Sequence, residues 1–286
     1  MSKRKRSRSV LITGCSTGIG LACAMRLSQA GWRVFAGVRS ERDLETLQSQ
    51  TPENCEPLLL DVTDPAAIAS VAAYVIEQVG QAGLTGLVNN AGVCVASPVE
   101  CLPAESLRLQ LEINTIAPIS LTRAVLPALE LARGRVVMVS SVSGRIPFPI
   151  VGAYTASKHA LECLSDALRV EIRQTGVGVS IVEPGPVRTP IWSRTKAEAD
   201  AAMQGWTEQQ RLRYGPAMDR MAQVARDGEQ SGIEPDEVAA LIERMLLARK
   251  PIRRKAIGAS LGNRALLSRL VPAGLVDRGF ARGLGL

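Results

Sequence analysis

Tyr154 and Lys158 stand four positions apart, a spacing that stacks two side chains on one face of a helix. A free phenol has a pKa of about 10 and exchanges protons poorly near neutrality, but a neighbouring cation lowers that value. The pair therefore predicts a tyrosine able to pass a proton to a carbonyl oxygen or take one from an alcohol. Ser141 can donate a hydrogen bond to the same oxygen and stabilise its developing charge, with its neighbour Ser140 as the competing choice. Taken alone, a Tyr/Lys pair is more often a solvated surface pair. What gives this one weight is its company along the chain.

A second group of residues could handle phosphate. Val10 opens an apolar run that leads into Thr13-Gly14-Cys15-Ser16-Thr17-Gly18-Ile19-Gly20 and then into a helical pattern. Glycines at 14, 18 and 20 let the backbone turn tightly and approach a pyrophosphate held at the helix N-terminus. Glycine also ends strands, and the spacing is not G-x-G-x-x-G. Further on, Val38-Arg39-Ser40 lacks the acid that commonly bonds the ribose hydroxyls of NAD, whereas an arginine can pair the extra phosphate of NADP. Arg39, Ser40 and Ser16 thus predict NADP(H) in preference to NAD(H). Arg39 stacking on adenine or facing solvent is the other reading.

These residues need a scaffold, and the 286-residue chain supplies the pattern of one. Short β-branched or leucine-rich runs begin at Val10, Val34, Leu58, Leu84, Val136 and Val179, with a last one near Ile257. Helical patterns lie between them, near 19–30, 41–49, 65–79, 105–131, 153–174 and 235–249. Alternation of this kind predicts a doubly wound α/β fold, a mostly seven-stranded parallel sheet with helices on both faces. No composition break divides residues 9–286, which read as a single domain after a basic, disordered tail over 1–8. Residues 188–232 are polar, carry Trp192 and Trp206 and show no strand pattern, so they read as an excursion that forms a substrate lid.

Composition narrows the function further. The net charge of +7 is concentrated at the ends, with five basic groups in residues 1–8 and eight against one acid in 250–286. An aromatic content of 3% offers few stacking platforms for bases, so solvated charge fits better than nucleic-acid binding. Six cysteines without a C-x-x-C pair, and a single histidine, predict reduced and mostly buried thiols and no metal site. His159 flanks Lys158 on a different face and reads as structural. With no long apolar run and no apolar stretch after the basic start, neither a membrane span nor a signal peptide is expected, and the reading is cytoplasmic. Near the C-terminus, Leu266, Leu267, Leu270, Val271, Leu275, Val276 and Phe280 alternate with Arg264, Arg269, Arg278 and Arg282. We expect them to pack on the lid or on another subunit, because Pro272, Gly274, Gly279 and Gly283 interrupt any long helix.

Taken in order, these motifs resemble the short-chain dehydrogenase/reductase family over roughly residues 9–260. The T-G-x-x-x-G-x-G loop is followed by Asp61-Val62, Asn89-Asn90-Ala91-Gly92, Asn114, Ser140-Ser141, Tyr154-x-x-x-Lys158 and Pro184-Gly185-Pro186-Val187-Arg188-Thr189. The stretches TGCSTGIG, SSVSGRIPFP, YTASKHALE and VEPGPVRTP are similar to its hydroxysteroid and retinol dehydrogenase branch, and Glu183, where many members carry Asn, agrees with that branch. The resemblance implies an oxidoreductase interconverting an apolar alcohol and its ketone or aldehyde, with a small-ketone or acyl-thioester reductase and a non-catalytic NADP(H) sensor as alternatives. It implies Asn114, Ser141, Tyr154 and Lys158 as catalytic, with Lys158 also holding the nicotinamide ribose and Asn114 anchoring a water. A helix kink or a local backbone bond would equally explain Asn114. Cofactor contacts are implied at Gly14, Ser16, Thr17, Gly18, Ile19, Gly20, Arg39, Ser40, Asp61, Val62, Asn90, Ala91, Gly92, Tyr154, Lys158, Pro184, Gly185, Val187 and Thr189. Asp61 would meet the adenine amino group, while Asp64 before Pro65 fits a helix cap. Family members are commonly dimers or tetramers through two long helices, which fall here near 105–131 and 153–174.

Overall fold

The computed structural model describes residues 8–258 and 272–286. Seven strands, β1 (Ser9–Thr13), β2 (Arg33–Val38), β3 (Cys55–Leu59), β4 (Gly86–Asn89), β5 (Arg135–Val139), β6 (Gly178–Pro184) and β7 (Arg254–Ile257), form one sheet in the order β3-β2-β1-β4-β5-β6-β7. Every pairing is parallel. The chain winds outward from β1 to β3 and then returns to lay β4 against the other side of β1. That reversal opens a crevice at the carboxyl ends of β1 and β4, the place where such sheets bind ligands.

Strand periodicity sorts the core into two layers. Val10 and Ile12 face a layer with Cys23, Ala24 and Leu27 of α1 (Gly18–Gln29) and Val238, Ile242 and Met245 of α9 (Pro235–Leu247). Leu11, between them, faces Val71 and Val75 of α3 (Pro65–Val79) and Leu121, Val125 and Leu129 of α5 (Ala117–Ala132). Burying one such aliphatic side chain stabilises the fold by roughly 1.5–3 kcal/mol. α2 (Glu41–Gln50) and α6 (Gly152–Glu171) complete the two layers.

Four strands start one residue before the expected position, and two others lie further from it. β3 begins at Cys55 rather than Leu58 and ends before Asp61. Pro57 hides this strand from a pattern reading, yet an edge strand tolerates a residue with no N–H. β4 begins at Gly86 because the Leu84 amide is donated to the carbonyl of Ala128, at 2.8 Å, instead of to the sheet.

The helix expected over 105–131 is interrupted. α4 (Ala104–Leu111) passes into a π-helical turn over Glu112–Ile116 before α5. Pro118 has no N–H to give the carbonyl of Asn114 four residues back, which loosens that turn. Within the combined Ala104–Ala132 stretch an 18-residue window reaches a mean hydropathy of 1.2, long and apolar enough to cross a bilayer by those criteria. Arg108, Glu112, Arg123 and Glu130 divide the stretch, so the sequence shows no unbroken apolar run there. Its inner face is core, with Leu121, Val125 and Leu129 packed under the sheet.

Residues 188–232 contain two helices, α7 (Ile191–Met203) and α8 (Glu208–Ser231). A capping box at Thr207 and Gln210 was the available sign of the second. A further helix, α10 (Ala273–Leu284), forms in spite of Gly274, Gly279 and Gly283. Tertiary contacts hold it: Phe280 meets Phe148 edge to face at 5.3 Å, and Arg220 of α8 donates to the carbonyls of Arg282 and Gly283 at 3.2 and 2.6 Å. Leu284 joins Trp206 and Met218 in a small apolar cluster. This portion of the C-terminus therefore packs on α8. Leu266, Leu267, Leu270, Val271, Arg264 and Arg269 lie outside the described residues, as does the basic segment 1–7.

Candidate active site

The crevice between β1 and β4 is tied by side chains. The Thr13 hydroxyl accepts the amides of Asn90 and Ala91 at 3.0 and 2.9 Å, and the Asn90 side-chain amide donates to the carbonyls of Thr13 and Gly14. The glycines make this possible. A Cβ on Gly20 would stand 2.1 Å from the Gly14 carbonyl oxygen, and one on Gly14, whose φ is +70°, would stand 2.9 Å from the Ala91 Cα. Thr17 occupies the N-cap of α1 with its side chain making no cap bond, so Gly18, Ile19 and Gly20 open the helix with amides free to meet an anion. Ser16 sits in the loop before it. A Cβ on Gly18 would touch Thr189 at 2.9 Å, which brings the loop after β6, with Pro184, Gly185 and Val187, onto the glycine turn. These features fit a pyrophosphate.

Along the crevice, Arg39 is exposed at the end of β2, and Ser40 caps α2 by accepting the Asp43 amide at 3.2 Å. Asp61 accepts both the amide and the hydroxyl of Thr63, at 2.9 and 2.7 Å, and Val62 packs at the margin of the core layer formed with α3 and α5. Asp64 caps α3 by accepting the Ala66 amide, as its place before Pro65 implied.

Catalytic candidates converge beyond β4 and β5. Asn114, fully buried in the π turn, accepts the Val93 amide at 2.9 Å and donates to the Val93 carbonyl and the Ser157 hydroxyl at 2.8 and 2.9 Å. It thereby staples the loop after Gly92 to α6, and both the kink and the backbone bond are real. Ser157, which the sequence reading passed over, relays this contact by donating to the carbonyl of Tyr154 at 2.7 Å. Ser140 is occupied, donating to Glu162 Oε1 at 2.8 Å in the interior. Ser141 accepts the Ser143 amide at 3.1 Å and, unlike Ser140, is not tied to Glu162.

Lys158 is buried, with Nζ donating to the Val139 carbonyl at 2.9 Å and lying 5.9 Å from the centre of the Tyr154 ring. Burial lowers its pKa to about 8, with Cys94 and Glu162 opposing that shift. The Tyr154 phenol moves the other way. Burial and the Cys94 thiol raise its pKa, and the hydrogen bond with Ser141 only partly offsets them. The expected lowering by Lys158 is thus not a property of these side chains by themselves: helical spacing aligns the pair, but the ammonium is turned to a backbone carbonyl. His159 donates from Nδ1 to the Thr155 carbonyl, 2.8 Å away, in keeping with a structural role.

Cys94, near the phenol, and Thr195, which bonds to it, escaped sequence reading. Cys94 lies close enough to influence both Tyr154 and Lys158, and burial pushes its own thiol up to about 12, so it stays neutral. Of the other thiols, Cys15, Cys23 and Cys55 are buried, Cys101 is half-buried and Cys163 is exposed. Thr195 donates to the Cys94 carbonyl at 2.9 Å and also lines a cleft of about 370 Å³ between α7 and α8. Met203, Met218, Met221 and Ala96 supply its apolar wall, with Lys196 and Arg226 among its charged members.

Residues 8–200 match the family described as short chain dehydrogenase. The chain is 38% identical to mouse retinol dehydrogenase 5 over 94% of its own length and 86% of the relative's. It is 32% identical to an NADPH-dependent 3-dehydrocapnine reductase of Ornithobacterium rhinotracheale, over 97% of each chain. A solved short-chain dehydrogenase from Streptomyces avermitilis superposes with a TM-score of 0.76 at 30% identity, covering 99% of each chain.

Proposed function

Because the chain belongs to the short-chain dehydrogenase/reductase family and is an NAD(P)-dependent oxidoreductase, we propose that it interconverts an apolar alcohol and its carbonyl, using NADP(H). The observation that carries this reading is the convergence of Ser141, Tyr154 and Lys158 at the carboxyl ends of the strands, beside the glycine turn. When bound, the nicotinamide supplies or accepts the hydride. Gly14 to Gly20 would hold the pyrophosphate, Arg39 with Ser40 the extra phosphate, Asp61 and Val62 the adenine, and Lys158 the ribose. Tyr154 gives its hydroxyl proton to the substrate oxygen during reduction and takes it back during oxidation. Ser141 holds that oxygen in place and stabilises its charge. Asn114 fixes the helix that carries the tyrosine.

The substrate side is read from the α7–α8 layer. Methionine is flexible and polarisable and moulds to irregular apolar shapes, so the cleft suits a steroid- or retinoid-like molecule. A reductase of smaller ketones is the second reading, favoured by 37% identity over 65% of the chain to a 3-amino-tetrahydro-pyrrolizinone reductase. We also take the enzyme to be a cytoplasmic homo-oligomer. A panel of retinaldehyde, androstenedione and short ketones, each with NADPH and NADH, tests the proposal. We expect NADPH oxidation with the two large carbonyls. Turnover confined to short ketones would move the assignment to the second reading, and no turnover with any carbonyl would overturn both.

A further inference from the structure

Behind the serines lies a buried ionic cluster that the chemistry above does not use. Glu162 of α6 and Glu183 of β6 have side chains only 8% and 3% exposed. Arg254 of β7 places Nε 2.9 Å from Glu183 Oε1 and Nη2 3.0 Å from Glu162 Oε2 and 3.2 Å from Asp166. Arg145 follows the turn Val142–Gly144 that Ser141 caps, and its Nε lies 3.0 Å from Glu183 Oε1 and 3.9 Å from Glu162 Oε2. Ser140 donates to Glu162 from the other side of Ser141.

We propose that Glu162 and Glu183 are positioning residues that clamp the segment around Ser141 at both flanks, Ser140 on one side and Arg145 on the other. The inference rests on the role given to Ser141 above. Bare stability is a poor reason for such a cluster, since desolvating each ion costs several kcal/mol and apolar packing of similar volume often does as well. What the cluster provides is a link from a short turn, whose own hydrogen bonds at Gly144, Arg145 and Ser143 are local, to α6, β6 and β7. Gly144 is shaped to it: a Cβ there would stand 2.6 Å from Glu162 Oε1 and 2.7 Å from the Ser140 hydroxyl. The remaining charged neighbours are Lys158, which feels Glu162 from the same helix, and Arg169, which is paired with Asp166 at 2.5 Å. Neither contacts the turn in a way that would replace Arg145.

The test is a double-mutant cycle through Ser141, because a residue that acts only by placing that hydroxyl has nothing to place once it is gone. Ser140→Ala, Glu162→Gln and Glu183→Gln are each made alone and combined with Ser141→Ala, and kcat for retinaldehyde reduction is measured with NADPH. Each single change should lower kcat roughly ten- to a hundredfold, the scale of a misplaced reacting group, with NADPH affinity unchanged. In the Ser141→Ala background the same changes should cost less than about twofold. Losses that multiply in full in that background, or no loss in the wild-type background, would overturn the clamp. Should the glutamine variants fail to fold, Ser140→Ala removes a single oxygen and carries the cycle by itself. A Ser141→Ala enzyme as fast as wild type would overturn the active-site reading, and the clamp with it.

Discussion

The two loops that bound the site are built on opposite principles. The turn between β1 and α1 works by leaving atoms out, with backbone brought so close at Gly14 and Gly20 that no side chain fits. The turn between β5 and α6 works by putting atoms in, with two carboxylates and two guanidinium groups packed under a pair of serines. A loop made of omissions should fail when anything is added. A loop made of side-chain contacts should fail group by group, leaving the fold behind.

The largest effect expected from this contrast is at Tyr154. Tyr154→Phe deletes one oxygen and should lower kcat by about a thousandfold, within the range for a lost general acid. NADPH affinity and melting temperature should hardly move, and near wild-type turnover in steady-state assays would refute the mechanism. Gly20→Ala should behave in the opposite manner. The added carbon meets backbone and the Asn90 side chain, so NADPH binding by calorimetry should be lost, together with roughly 1–3 kcal/mol of stability.

Arg39→Ala comes next, since the residue faces solvent at the far end of the crevice. A hydrogen bond to a charged group contributes about 1.5–3 kcal/mol, so the NADPH Kd should rise about tenfold or more while the NADH Kd stays level. Equal losses for both nucleotides would assign Arg39 to adenine stacking.

The smallest effect concerns pH. Burial and the neighbouring Glu162 raise the Glu183 carboxyl from 4.5 to about 7. Between those values the folded chain holds a proton that the unfolded chain has released, so the contribution of Glu183 to stability falls as pH rises through that window. Urea midpoints recorded at pH values across it should show this slope in the wild type and a flatter one in Glu183→Gln. Identical slopes would mean that the arginines keep Glu183 ionised throughout.

The same contrast explains what could be read from sequence. Omissions leave a trace in the chain itself: Gly14, Gly18 and Gly20 must be glycine, and their spacing after an apolar run marks the turn without any knowledge of what surrounds it. The alternation of apolar runs likewise shows the winding of the sheet. Contacts between distant segments leave no such trace. Glu162, Glu183, Arg145 and Arg254 come from four separate elements and look like ordinary surface charge until the sheet brings them together. Ser157 and Cys94 are hidden for the same reason. The helices of 191–231 escaped because their exposed faces are polar and their apolar positions sparse, whereas Pro118 did carry a readable sign of the break at Asn114.

The tryptophans are distributed in a way that has an optical consequence. Trp32 is sealed in the core at the start of β2, far along the chain from the other two. Trp206 stands against Tyr214 in the apolar cluster beside the cleft, and Trp192 donates its indole proton to the Val187 carbonyl at the start of α7. Trp32 is fully buried and outside the cleft lining, so a change in emission on adding a carbonyl compound is expected from Trp192 and Trp206 of the α7–α8 layer. The protein carries its own reporter for the movement of that layer, usable without a label and before a substrate is known.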